Sequence, residues 1–186
     1  MEALLLRPAG RPTRKTARGR FRRRADEALL VAEIADLDLD PKPPAGIELR
    51  PVTGADDAAA LVAVGSTVFG GDRADIGRQV LAGLEQSPTT VEAVIAWAGD
   101  TPVSAARAEF HAGTDFAGLW GGGTLPAWRG RGVFRSLVAY RAALASARGF
   151  RYLQVDALPA SRPILERLGF VQLAITRPFI HPGTSR

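Results

Sequence analysis

Between Trp120 and Leu137 the chain gathers residue types suited to holding an anion. Gly121-Gly122-Gly123 falls inside a stretch that otherwise reads as a strand. Glycine weakens a strand through lost packing and backbone entropy, and it often marks the close approach of a ligand or another backbone. Pro126 removes a ladder donor at the strand's end. Arg129-Gly130-Arg131-Gly132 then opens a helix whose first-turn N–H groups lack partners. Those donors and the helix dipole favour an anion, and the glycines let a phosphate reach the backbone. Arg131 and Arg135 add positive charge at the same end.

A glycine-rich connection with no ligand is the plainer reading, and the glycine triplet alone does not choose between the two. No Lys-Ser/Thr follows, as a P-loop requires. The dinucleotide spacing of three glycines with a later acidic residue is missing too. The succession of strand, proline, Arg-Gly-Arg-Gly and amphipathic helix is the more specific signal.

The elements that must hold this turn follow from periodicity. Ile47 to Pro51 alternates like a strand. Thr53 and Asp56 stand where a helix can begin, ahead of the apolar stretch 57–68. Asp72 to Gln86 predicts a second helix, with Ile76, Val80, Leu81 and Leu84 on one face. Val91 to Trp97, Val103 to His111 and Phe116 to Leu125 read as strands joined by turns at Gly99–Pro102 and Ala112–Thr114. The long helix 130–147 follows, with Val133, Leu137, Tyr140 and Leu144 on one face. Strand Tyr152 to Asp156, a short helix 161–168 and strands from Phe170 onward complete the order. That order predicts an α/β (α+β) domain, a mixed central sheet flanked by helices.

Composition narrows the function classes. The 186 residues suffice for one domain, and 46% hydrophobic residues suffice for a core. With no cysteine and only His111 and His181, thiolate and zinc sites are not expected, nor any metal. No apolar run approaches a membrane span, and Leu4 to Leu6 is too short for a secretory leader, so a cytoplasmic protein without membrane contact is expected. The net charge of +5 misleads as an average: residues 1–25 hold nine Lys/Arg against Glu2, leaving the remainder at −3. Three segments are expected: a basic, disordered arm over residues 1–25, a short ordered segment with a Pro-rich linker over 26–45, and the domain over 46–182.

The run Thr124-Leu125-Pro126-Ala127-Trp128-Arg129-Gly130-Arg131-Gly132-Val133 resembles the acetyl-CoA signature of the GNAT superfamily, Arg/Gln-x-x-Gly-x-Gly/Ala. Arg162 to Phe170, ending in Leu168-Gly169-Phe170, looks like the late helix of that family. The resemblance covers about residues 46–182 and implies an N-acetyltransferase. It implies acetyl-CoA as cosubstrate, with pantetheine in a gap beside Gly122, Gly123, Thr124 and Leu125. Pyrophosphate would lie on the amides of Arg131, Gly132, Val133, Phe134, Arg135 and Ser136, with Arg129 and Gly130 shaping the turn. The backbone N–H of Thr124 or Leu125 would polarise the thioester carbonyl. Phe134 stands where the pattern ends in Gly or Ala; it reads as a helix-core residue, with a narrowed phosphate cradle as the alternative.

In such a reaction a neutral amine attacks the thioester, so a base and an acid are sought. Many relatives place a tyrosine four residues before the late glycine, where this chain has Leu165. Tyr140 and Tyr152 are substitutes, each equally at home in a core or rim. Glu109 and His111 share a strand face, with Asp115 across the turn; a solvated strand end explains them as well. Asp156 ends the strand beside the expected thioester, or else caps a loop. Phe116 and Trp120 alternate on one strand face and line the acceptor pocket or pack in the core.

Three functions stay open: an N-acyltransferase acting on a small-molecule amine or peptide, as a monomer or homodimer; a GNAT-like module that binds acyl-CoA without turnover; and a nucleic-acid binder using residues 7–24. Phe21 is the arm's sole aromatic, so the third offers nonspecific, salt-sensitive contact only. Arginine over lysine, 22 against two, suggests a GC-rich bacterial source. Residues 26–39 with the Pro linker resemble the closing strand of a preceding lobe in two-lobed GNAT proteins.

Overall fold

The run Val-Glu-Ala-Val-Ile-Ala-Trp-Ala at 91–98 carries little polar alternation because both faces of that strand are covered. The computed structural model describes residues 21–180. The strands are β1 (Arg22–Arg23), β2 (Glu27–Glu33), β3 (Ile47–Pro51), β4 (Val91–Ala98), β5 (Thr101–Phe110), β6 (Phe116–Thr124), β7 (Tyr152–Ala157), β8 (Val171–Thr176) and β9 (Phe179–Ile180). The helices are α1 (Ala55–Phe69), α2 (Ala74–Leu84), α3 (Val133–Ala147) and α4 (Arg162–Arg167). Seven strands form one sheet in the order β3-β4-β5-β6-β7-β2-β8. Every neighbouring pair is antiparallel except β6 and β7. On one side of the sheet, Ala93, Ile95 and Ala105 pack with Leu61 and Val64 of α1 and Val80 of α2. On the other, Val94, Ala96 and Val103 pack with Val133 and Leu137 of α3. The fold class expected from the pattern is the one observed.

Two expectations at the N-terminal end need correction. Residues 26–45 are not a preface to the domain, because β2 lies inside its sheet, between β7 and β8. Leu30 is fully buried there, with Ala28 and Ala32 beside it. The last residues of the stretch 1–25 are ordered as well: Arg22 and Arg23 pair with Ile180 and Phe179. The rest of the expected arm, residues 1–20, lies outside the described residues, as does His181. No helix among the described residues is long and apolar enough to cross a membrane. No group of three His, Cys, Asp or Glu gathers among them in a way that could hold a metal ion.

Candidate functional site

The site begins with a strand pair that comes apart. β6 and β7 pair only at Phe116 with Tyr152, Ala117 with Leu153 and Gly118 with Gln154. Past Gly118 the two strands diverge. On its other side β6 is bulged: the register with β5 runs from Arg107–Trp120 to Ala105–Gly123, so Gly121 and Gly122 face the single residue Ala106. Gly121 takes φ +60°, a conformation that suits glycine. Such a bulge bends its strand, here beside the opening toward β7.

A cleft of about 610 Å³ fills the opening, lined by Gly122, Gly123 and Thr124 of β6 and by the start of α3. The turn into α3 is fixed locally. Arg129 Nε donates to the Thr124 carbonyl at 3.0 Å, folding the chain over the strand end. Gly130 and Gly132 take φ +74° and +88°. The helix has no capping side chain, and its first bond runs from Ser136 N to Gly132 O at 3.1 Å. The amides of Val133, Phe134 and Arg135 therefore have no intrahelical acceptor. Arg129, Arg135 and Arg167 line this cleft, and among the described residues no carboxylate does. The cleft is built for an anion along one end and apolar matter along the rest. A CoA-like ligand fits that donor set.

The structure separates the two amides expected to polarise a carbonyl. Leu125 N–H donates to Val103 O at 2.9 Å and is therefore occupied. Antiparallel pairing alternates, so the preceding Thr124 amide points away from β5, toward the side where β7 has departed. Thr124 is the available donor. Its side chain is tied down, its hydroxyl lying 2.7 Å from that of Ser104.

A second cleft of about 220 Å³ adjoins the first, sharing Phe69, Gly122, Phe134, Leu158 and Ser161 as walls. Asp156 and Trp120, both expected near an acceptor, line it. So does Glu27 of β2, which sequence reasoning did not single out. Burial first, and the Asp156 charge second, raise the Glu27 carboxyl above its usual range. Thr176 Oγ1 donates to Asp156 at 2.9 Å and so orients it. Arg167 was missed too, since it looked like an ordinary charged position of a short helix.

Several expected residues are not brought here. Glu109 accepts from Arg107 Nε at 2.9 Å and lines neither cleft. Tyr140 packs on the Val94–Leu137 cluster, its phenol pushed up by burial and then by Glu92. Phe116 stacks on Tyr152 with centroids 5.0 Å apart, at the closed end of the strand pair. The Ser136 amide is used within the helix, and its hydroxyl donates to the Lys42 and Gly132 carbonyls. Arg131 lies over the Trp128 ring, 4.8 Å from its centroid, outside the cleft lining. Leu165 is buried and presents only carbon to the smaller cleft. Phe134 packs against the core with its ring as a wall common to both clefts. The close approach that the glycines permit is made by side chains: an added Cβ would meet Phe134 at 3.0 Å from Gly122 and Val68 at 2.8 Å from Gly123.

No family model and no curated protein matches the chain. Solved structures do. A GCN5-related N-acetyltransferase from Kribbella flavida matches at TM-score 0.64 and 23% identity, over 88% of this chain and 60% of its own. A GCN5-related N-acetyltransferase from Sphaerobacter thermophilus matches at TM-score 0.66 and 17% identity, over 89% of this chain and 55% of its own. AAC(6')-Iy, in complex with the bisubstrate analogue CoA-S-monomethyl-acetylneamine, matches at TM-score 0.57 and 22% identity, over 67% of this chain and 90% of its own. The chain thus spans less than two thirds of the first two structures' length. It has the fold these acetyltransferases share, the GNAT fold.

Proposed function

We propose that this GNAT-fold chain is an N-acyltransferase that moves an acetyl group from acetyl-CoA to a primary amine. The observation that carries the reading is the opening between β6 and β7, which ends on the free amides of α3 and adjoins a second cleft bearing two carboxylates. Acetyl-CoA supplies a thioester carbonyl open to attack and a thiolate able to leave. Val133, Phe134 and Arg135 amides, with Arg135 and Arg167, would hold its phosphates. The Thr124 N–H would receive the carbonyl oxygen as negative charge develops. Glu27 would take the proton that the amine sheds as the C–N bond forms and the C–S bond breaks. Its raised affinity for protons suits that task. Asp156, fixed by Thr176, would hold the amine in place. Leu165 offers no proton to the thiolate, which would take one from water.

The test is thermal unfolding of the full chain with acetyl-CoA, followed by free-thiol release across an amine panel. At about 100 times its dissociation constant the ligand should add ~2.7 kcal/mol of stability. No stabilisation overturns the reading. Arg135→Glu with Arg167→Glu should weaken acetyl-CoA by at least about tenfold in calorimetric titration, since each removes a charge-assisted contact. A second reading, a module that binds acyl-CoA without turnover, is favoured by Leu165 at the place of the usual acid. Stabilisation with no thiol release from any amine would select it.

A further inference from the structure

The smaller cleft holds three guanidinium groups that the reaction above does not use. Arg73, Arg107 and Arg141 all line it. Only Arg107 has a carboxylate partner, Glu109 at 2.9 Å, among the described residues. Arg141 is 2% exposed. Its Nε donates to Leu137 O at 2.9 Å and its Nη1 to Arg107 O at 3.2 Å, both backbone carbonyls, while its charge meets no carboxylate. Burial, and then Arg107, pull its pKa down to about 9. Arg73 lies over the Phe69 ring, and its Nε is buried with no hydrogen-bond partner.

The glycine bulge in β6 makes room for two of these groups. An added Cβ at Gly121 would stand 3.1 Å from Arg107 Nη1, and one at Gly122 would stand 3.4 Å from Arg141 Nη2. A side chain at Gly121 would crowd the Arg107 guanidinium, and one at Gly122 would come into contact with that of Arg141. Arg141 is buried without a counter-ion, and the part-buried Arg73 and Arg107 stand beside the same cleft. An unpaired buried charge destabilises a fold, so a cavity that keeps the three together is suited to an anion. Glu27 and Asp156 line the same cleft but form no ion pair with any of the three. Acidic groups and guanidinia thus line one space without neutralising each other. At about 220 Å³ that space is smaller than the ~300–1,000 Å³ of drug-sized sites.

We propose that the acceptor is a compact amine that also carries an anionic group, a carboxylate or phosphate. The anion sits on Arg73, Arg107 and Arg141, and the amine faces Glu27 and Asp156. Amino-acid-like zwitterions meet that description, and polycationic amines do not. This rests on the reading in which the smaller cleft receives the amine.

Matched pairs test it on the full chain: leucine against 3-methylbutylamine, and phosphoethanolamine against ethanolamine, with and without coenzyme A. Calorimetric affinity and the specificity of thiol release are both read. The anionic member of at least one pair should be favoured by about tenfold or more, the worth of one charged hydrogen bond. Whichever pair responds tells carboxylate from phosphate. Arg141→Met should erase the preference, and Arg73→Gln should reduce it if the first variant does not fold. Equal or better use of the uncharged-tail amines, or a preference that survives both variants, overturns the proposal. If acetyl-CoA stabilises the chain while the pairs behave alike, this proposal alone falls. If the anionic amines bind and acetyl-CoA does not, acyl transfer falls and the anion site stands.

Discussion

Glu27 is half-buried and Arg141 fully buried, and each of these ionisable groups makes a prediction with a sign. Glu27 acts as a base only when ionised, and its carboxyl is raised by burial and then by Asp156. Turnover should therefore fall with decreasing pH through a limb set higher than an ordinary glutamate would give. Glu27→Gln should lower turnover by about 10²-fold and remove that limb from the pH profile. Stability runs the other way. A raised carboxyl pKa favours the fold at low pH and loses that favour as Glu27 ionises, so the glutamine variant should melt no lower than the parent at pH 7. A limb unchanged in the variant rejects Glu27 as the base. Arg141→Met removes an unpaired buried charge and should raise the melting temperature or leave it unchanged. A large loss would mean that its two bonds to carbonyls hold the core. The turn into α3 was legible because Arg129 to Ser136 is one continuous piece of chain. Glu27 was not, since its neighbours Asp156 and Thr176 are more than a hundred residues away. That Glu109 and Tyr140 would lie outside both clefts was hidden for a related reason: with helices on both sides of the sheet, periodicity gives a residue's face but not which face holds the clefts.

At the scale of elements, the parted strands depend on glycines whose side of the sheet is already full. Val68 and Phe69 at the end of α1 press on Gly123, where an added Cβ would lie 2.8 Å from Val68. Gly123→Ala should therefore cost about 1–3 kcal/mol in urea unfolding, the range for overpacking a tight contact. Gly122→Ala should cost less, because its nearest neighbour, at 3.0 Å, is the ring edge of the half-buried Phe134. The reverse order would mean that the bulge, not α1, governs this junction. The sequence announced the glycines and a close approach, but not the visitor. Side chains from α1 and α3 meet β6 there only because of a helix packing that no local pattern records. Most strands and helices from Ile47 to Phe170 were legible for the opposite reason. They carry their own period of two or of about 3.6, and β4, covered on both faces, shows instead as a short apolar run that ends at Gly99.

The whole molecule depends on one strand whose place in the sheet has no local signature. β2 is flanked by β7 and β8, so it buries Leu30 completely and is, among the described residues, the sole sheet partner of β8. Remove β2 and β8 has no strand left to pair with among the described residues, while β7 becomes a bare edge. Val171, Leu173 and Ile175 of β8 already stand largely exposed, so little else anchors that strand. Asp26 to Leu39 reads from sequence as an ordered piece before a linker, which suggests that the domain could be cut at about residue 40. The sheet order says otherwise. A chain beginning at Asp40 should lose cooperative unfolding, and with it the clefts that β2 and β7 border. In the intact chain Leu30→Ala should cost about 2–5 kcal/mol, as expected for a leucine truncated in a closed core. Urea titrations followed by tryptophan fluorescence measure both, with slope as well as midpoint recorded. A fragment from Asp40 that unfolds in one steep transition would show that the sheet stands without β2. Glu27 would then be dispensable to the fold, whatever its part in the site it borders.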